Sequence, residues 1–253
     1  MGARVFIGCA GWSLPRDAQD AFGPGSSHLE RYATRFGASE INSSFHRPHS
    51  RATYERWAGS VPAGFLFCAK LPKQVTHVQR LAASDTLLDE FMSQATALGD
   101  KLACLLVQLP PSLAFDPVVA PAFFASLRQR WAGRVACEPR HASWFEPDAD
   151  ALLASHQVAR VLADPVRHAP GAAPGGWPGL AYLRLHGTPR VYYSPYEPHV
   201  IEALARRIRT AVDAGTEVWC IFDNTASGAA AHNALALSRA LQAAGSAGDT
   251  GAV

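Results

Sequence analysis

Chemistry-bearing side chains recur in this sequence where short apolar runs end. Glu40 and Asn42 lie in SEIN, Lys70 closes FLFCAK, Gln108 closes CLLVQ and Glu138 closes RVACE. Asp164 ends RVLAD, Arg184 and His186 alternate in YLRLH, and Asp223 and Asn224 follow WCIF. Carboxylates and imidazoles of this kind serve as general acids and bases, and lysine and arginine stabilise developing negative charge. We therefore take Glu40, Lys70, Glu138, His141, Asp164, His186 and Asp223 as the candidate catalytic groups.

The loops beyond those runs add binding groups. SSFHRP carries His46 and Arg47; KLPKQVTH carries His77; PRHASW carries Arg140, His141 and Trp144. HGTPRVYYSPY supplies Tyr192 and Tyr193, and DNTASG supplies Asn224, Ser227 and Gly228 at the start of an alanine-rich helix. Free N–H groups at a helix N-terminus attract anions. With Lys70, Arg140 and Arg184, these residues point to a small anionic or phosphate-bearing ligand. Trp12, Trp144 and Tyr192 offer flat faces for a sugar or base, and Asn42 and Gln108 offer amides. A divalent cation on Glu40, Glu138, Asp164, Asp223 and His186 is the competing occupant. No HExxH-type spacing supports it and no motif implies a cofactor; nor does any P-loop, nicotinamide fingerprint or Ser-His-Asp spacing stand out.

Such scattered residues can meet only if the elements between them converge. Eight strand candidates occur in order: Arg4 to Cys9, Ser39 to Asn42, Phe65 to Lys70, Cys104 to Gln108, Arg134 to Glu138, Arg160 to Asp164, Leu180 to His186 and Glu217 to Phe222. Several are almost wholly apolar, as parallel strands covered on both faces are. The helical period over Asp85 to Leu98, Pro117 to Trp131, Pro198 to Ala214 and Ser227 to Ala244 predicts helices, with Asp116 as a cap and Gly99, Gly215 and Gly245 as stops. Shorter helices are expected over His28 to Phe36, Arg51 to Ala58 and Asp148 to His156. Val166 to Gly179, rich in Pro, Gly and Ala, reads as a loop where a sixth helix would stand. Alternating strands and helices at this length favour a single α/β domain over residues 1–245, a (β/α)8 TIM-type barrel irregular around its sixth helix. An open doubly wound sheet or a distorted barrel is the alternative. Residues 246–253 read as a flexible tail.

In a barrel all strand C-termini open on one face, so the candidate residues share a mouth. Alternation sharpens this. Leu183 and Leu185 suit the helix layer, which turns Tyr182, Arg184 and His186 inward; Glu138 shares its face with Ala136. Arg184 and Glu138 are then partners in a buried ion pair.

Composition narrows the function classes. The 253 residues include 48% hydrophobic and 17% charged residues, an ordinary globular balance. Net charge +2, from 23 basic and 21 acidic residues without a basic block, does not imply nucleic-acid binding, which remains open through a local patch. The cysteines at 9, 68, 104, 137 and 220 form no CxxC pair and sit in apolar runs, which reads as reduced core thiols of a cytoplasmic protein. The N-terminus lacks a signal-peptide pattern and no apolar run reaches membrane-spanning length, so no membrane partner is expected.

The stretches IGCAGW, YATRFGASEINSSFHRP, TYERWAGSVPAGFLFCAKLPKQVTH, LLVQLPPS, CEPRHASWF, YLRLHG and IFDNTASGAAAHNAL together resemble the YecE-like proteins, domain of unknown function 72. The resemblance covers roughly residues 5–241 and implies a TIM-type barrel, without naming a substrate. Cys9-Ala10 stands where that family more often has Thr-Ser, and His46 where it often has tyrosine. Three readings follow: an enzyme of hydrolase, isomerase or lyase type, a non-catalytic nucleotide or nucleic-acid binder, and a structural scaffold.

Overall fold

Tyr32 shows how the strands are joined and where they part. Its buried hydroxyl accepts from Cys9 N–H (2.7 Å) and donates to the Ala38 carbonyl (2.9 Å), standing where a ladder hydrogen bond between the first two strands would be. The backbone is too close here for a side chain at Gly8, whose Cβ would lie 2.1 Å from the Ala38 carbonyl oxygen. Ser39 Oγ, within reach of the Cys9 (3.1 Å) and Gly11 (3.2 Å) carbonyls, seals the same seam. Side-chain hydroxyls thus substitute for main-chain pairing.

The computed structural model describes residues 4–247, with side chains to 243. Its strands are β1 (Val5–Cys9), β2 (Ala38–Ile41), β3 (Leu66–Lys70), β4 (Leu102–Gln108), β5 (Arg134–Glu138), β6 (Val158–Arg160), β7 (Leu162–Asp164), β8 (Gly175–Gly176), β9 (Leu180–Leu185) and β10 (Glu217–Phe222). They form two sheets, ordered β1-β10-β9-β7 and β2-β3-β4-β5-β6-β8. Every pairing is parallel except β6 with β8.

The expected eight strands are all present, but the ladder is not closed. Between β1 and β2 the backbone pairing is limited to the Ala10–Glu40 bridge, where Gly11 N–H donates to the Glu40 carbonyl (2.8 Å). The sixth expected strand is divided at Val161. Its first half pairs with β5 and its second half with β9, while β8 covers the free edge of the first half. Two glycines carry no strand signal, so β8 could not be read from sequence.

The α-helices are His28–Tyr32, Arg51–Gly59, Asp85–Ala95, Val119–Arg130, Pro147–Ser155, Pro198–Asp213 and Ala229–Ala247. Asp116 Oδ1 accepts from Val118 N–H (2.8 Å) and Val119 N–H (3.0 Å), the capping expected of it. Gly215, at φ 84°, follows Pro198–Asp213 in the left-handed turn that glycine adopts without strain. Val166 to Gly179 holds the short 3-10 turn Ala169–Ala172 and β8, and no α-helix. The last helix continues through Ser246 and Ala247, so the expected tail does not begin at 246; residues 248–253 lie outside the described residues.

The strands are buried on both faces. Phe6, Cys68, Cys104, Leu106, Ala136, Tyr182 and Trp219 pack together inside the sheets, whereas Ile41, Leu105, Val107, Leu183 and Leu185 face the helices. Each fully buried aliphatic side chain contributes about 1.5–3 kcal/mol, so register is firmly set by this division. All five cysteines are buried free thiols. Burial pushes the Cys9 thiol up to about 12. No described helix is long and apolar enough to cross a membrane.

Candidate functional site

Alternation along β9 puts Tyr182 and Arg184 on the inner face, and the strand ends bring their partners to them. Arg184 is fully buried. Its Nε donates to Glu40 Oε2 (2.9 Å) and its Nη2 to Glu40 Oε1 (2.6 Å), a bidentate pair between β9 and β2. Nη2 also reaches Asp223 Oδ2 (3.0 Å), and Nη1 donates to Glu138 Oε2. Tyr182 OH donates to Glu40 Oε2 (3.0 Å). One guanidinium therefore ties together the C-terminal ends of three other strands.

This network accounts for the charge states. Burial disfavours the charged form of Glu138, yet Arg184, with His186 and Arg140 beside it, holds its carboxyl well below the usual range. Asp223 is held low against burial by Arg184 and by its hydrogen bond with His186. Burial opposes the charge on Arg184 too, but Glu40, Glu138 and Asp223 outweigh it and raise its pKa far above normal. The guanidinium occupies the centre of the carboxylates, where a cation would otherwise be needed. Among the described residues no three His, Cys, Asp or Glu side chains are arranged to hold a metal ion.

Above this floor lies a less satisfied layer. His186 Nδ1 is 3.0 Å from Asp223 Oδ2, while Nε2 is buried without a hydrogen-bond partner, 3.4 Å from Glu138 Oε1. Burial alone would lower the pKa of His186, but Glu138 and Asp223 reverse this and raise it. Arg140 Nε donates to Glu138 Oε1 (3.1 Å). Glu138, Arg140 and His186 line a cavity of about 30 Å³ together with Tyr192 and the 165–171 loop. That is room for one water molecule or the polar end of a ligand.

Lys70 stands on the other side. Its Nζ donates to Asn42 Oδ1 (3.0 Å) and lies 4.2 Å from the centre of the Phe45 ring. Burial, then repulsion from Arg184, lowers its pKa to about 8 despite Glu40, Glu138 and Asp223. Ser44 Oγ, buried, lies within hydrogen-bond reach of the carbonyls of Ile41 (2.9 Å) and Lys70 (2.7 Å), so the loop after β2 is clamped onto the end of β3. His77 packs its ring against Phe45 and bonds Thr76 Oγ1 through Nδ1 (2.8 Å). Partial burial, then Lys70, Arg140 and Lys73, lowers the pKa of His77.

Glu40, Asn42, Lys70, Glu138, Arg140, Arg184, His186 and Asp223 thus lie at or beside the C-terminal ends of β2, β3, β5, β9 and β10. Gln108 is buried at the end of β4, in register with Glu138. His46 and Arg47 are exposed beyond Phe45, and Tyr192 packs its ring edge-on to His186.

Other candidates are placed elsewhere. Asp164 shares its face with Leu162, on the helix side, because Val161 and Ala163 take the inner positions. There it accepts from Tyr196 OH (2.7 Å) and Thr188 Oγ1 (2.9 Å). Trp144 is 1% exposed and donates to the Leu113 carbonyl (3.0 Å), so it is a core residue and no stacking platform. Trp12 packs against Trp57 and Phe67. His141 accepts from Ser143 N–H and pairs with Ser143 Oγ (2.8 Å), capping a 3-10 turn. Ser227 donates to the Tyr193 carbonyl, and Gly228 borders a separate cavity of about 260 Å³ without a lysine or arginine. Asn224 Nδ2 ties Ser194 to Asn233, and Tyr193 lies against Arg190. The helix start after β10 therefore opens away from the basic residues.

Ser44 and Phe45 were not among the sequence candidates, since an apolar ring and a small hydroxyl in a loop carry no signal of their own. Their role follows from a short 3-10 turn, Ser43–Phe45, that folds back over β3.

Comparison with known proteins agrees with this architecture. Two crystal structures of DUF72 family proteins superpose over almost the whole chain. The protein from Enterococcus faecalis V583 has a TM-score of 0.79 at 21% identity, over 94% of this chain and 95% of its own. That from Thermotoga maritima MSB8 has 0.76 at 23%, over 94% and 99%. At these identities the likeness concerns the fold. UPF0759 protein YecE of Escherichia coli K12 is 28% identical over 144 residues, which are 56% of this chain and 50% of that protein. The match thus spans about half the length of the curated relative. The sequence profile described as "Protein of unknown function DUF72" matches residues 6–251. The chain belongs to the DUF72 family.

Proposed function

We propose that the protein is an enzyme acting on a small anionic substrate at the mouth of a split (β/α) barrel, with His186 as proton carrier and Arg140 and Lys70 as electrostatic clamps. The observation that carries this reading is His186. One ring nitrogen is held by Asp223, and the other is buried without a hydrogen bond, 3.4 Å from Glu138 Oε1 and beside the cavity lined by Glu138 and Arg140. An imidazole fixed through one nitrogen by a carboxylate, with the other nitrogen near a second carboxylate at a cavity, is suited to passing a proton.

The charge balance supports an anion. Glu40, Glu138 and Asp223 are met by Arg184, Arg140 and Lys70, three negative charges against three positive, and a proton on His186, which Glu138 and Asp223 favour, adds a fourth positive charge. The surplus cation is at the rim, where a bound anion would neutralise it. The barrel reading is supported by the Ala10–Glu40 bridge and by the 158–164 segment, which pairs with β5 and then with β9.

The test combines binding with turnover on a panel of small phosphate esters, hydroxy acids and oxo acids. Inorganic phosphate is expected to raise Tm, and His186→Asn to lower the rate on whichever panel member turns over by about two to four orders of magnitude. If phosphate leaves Tm unchanged, or the variant turns over at the wild-type rate, the reading is wrong. The exposed Tyr192 and Tyr193, with Arg190 lying 3.8 Å over the Tyr193 ring, favour a nucleotide or single strand as the second reading. That ligand would bind with a steep salt dependence and without turnover.

A further inference from the structure

We propose that Lys70 forms a covalent imine with the carbonyl carbon of a small oxo acid bound at this mouth. The inference rests on the anionic-substrate reading above and names its substrate class.

Lysine is scarce in this chain, occurring at 70, 73 and 101 among 23 basic residues. Among the described residues every ion pair to a carboxylate is made by arginine or histidine. Lys70 is 5% exposed, yet its ammonium has an amide oxygen and an aromatic face for partners, while Arg184 takes the nearby carboxylates. Lys101, by contrast, is spent on the carbonyls of Ala58 and Val61. A buried amine facing another cation and lacking a carboxylate is the environment that yields a nucleophilic lysine.

A pKa of about 8 instead of the ordinary 10.5 makes the free-amine fraction at neutral pH larger on the order of a hundredfold. The Nζ lone pair attacks the carbonyl carbon, and the carbonyl oxygen takes up a proton to give a carbinolamine. A further proton on that oxygen releases it as water, while nitrogen loses its proton and the C=N bond forms. His186, whose protonated form Glu138 and Asp223 favour, is the proton source, and Arg140 holds the carboxylate of the oxo acid. Phe45, whose ring covers Nζ, is the group that must swing aside to admit the carbonyl.

The test is reductive trapping with cyanoborohydride, which adds hydride to the imine carbon, followed by peptide mass spectrometry. Glyoxylate, an anionic aldehyde, and glycolaldehyde, a neutral one of similar size, serve as probes. Glyoxylate is expected to label Lys70 in preference to Lys73 at neutral pH. Glycolaldehyde should label Lys70 more slowly, and Lys70→Arg should abolish that label. Equal labelling of Lys70 by both probes would keep the imine and overturn the anion clamp. Labelling of Lys73 without Lys70, in wild type and in Phe45→Ala where the amine is uncovered, would overturn the imine. A phosphate-dependent Tm in that same experiment would leave the anion site standing.

Discussion

Arg184 and Lys70 are both buried cations near strand C-termini, and their surroundings differ. Arg184 meets Glu40, Glu138 and Asp223 with directed hydrogen bonds, so its charge is matched and its geometry locked. Lys70 meets an amide and a ring, with its charge opposed by burial and by Arg184. The floor joins strands, whereas the rim carries a buried cation without a carboxylate partner. Burial by itself does not separate a structural charge from a functional one; the completeness of its partners does.

The largest effect should come from breaking the floor. Arg184→Leu strands three carboxylates and is expected to cost about 3–5 kcal/mol, visible as a lowered denaturant midpoint. If that variant is as stable as wild type, the floor does not hold the strand ends together. Lys70→Met should leave stability unchanged or higher near neutral pH, because it removes a buried charge that lacks a carboxylate partner.

The pH dependence sharpens the contrast. Lys70 has a depressed folded-state pKa, about 8 against 10.5, so between these values the unfolded chain binds the extra proton and stability rises with pH. Relative to Lys70→Met, wild type should gain about 3 kcal/mol across that window, read from denaturant melts at each pH. Glu138 and Asp223, also depressed, have the same sense in a lower pH range: they contribute stability above their unfolded values that is lost on acidification through their lowered folded ones. His186, raised in the fold, contributes below its unfolded value of about 6.5 and loses that contribution as pH rises through the folded one. A flat difference between wild type and Lys70→Met from pH 8 upward would mean that the amine is not desolvated.

A smaller effect belongs to the seam. Tyr32→Phe removes the hydroxyl that links Cys9 N–H to the Ala38 carbonyl, leaving both buried, and should cost about 1–3 kcal/mol. Hydrogen exchange at Cys9 should quicken as the β1–β2 junction loosens, and unchanged protection there would show that the hydroxyl does not carry the seam.

Much of this was legible in sequence because it follows period two. The alternation of Tyr182, Arg184 and His186 with Leu183 and Leu185 put the right three side chains inside, and Glu138 follows from Ala136. The same rule, applied to Val161-Leu162-Ala163, would have turned Asp164 outward; reading it only as a strand end missed this. Trp144 escaped because a 3-10 turn, with no periodicity to betray it, drives the ring into the core. The division of the ladder could not be read either, since it depends on a tyrosine hydroxyl reaching the seam from another element and on a glycine pair forming β8.

The most direct measurement is an NMR titration of the protein with its lysine side chains isotopically labelled, three in all. One amine, assigned through Lys70→Arg, should titrate near 8 and move upward when inorganic phosphate binds. If Lys70 titrates with an ordinary value and ignores phosphate, its charge is already satisfied and the rim is no more reactive than the floor.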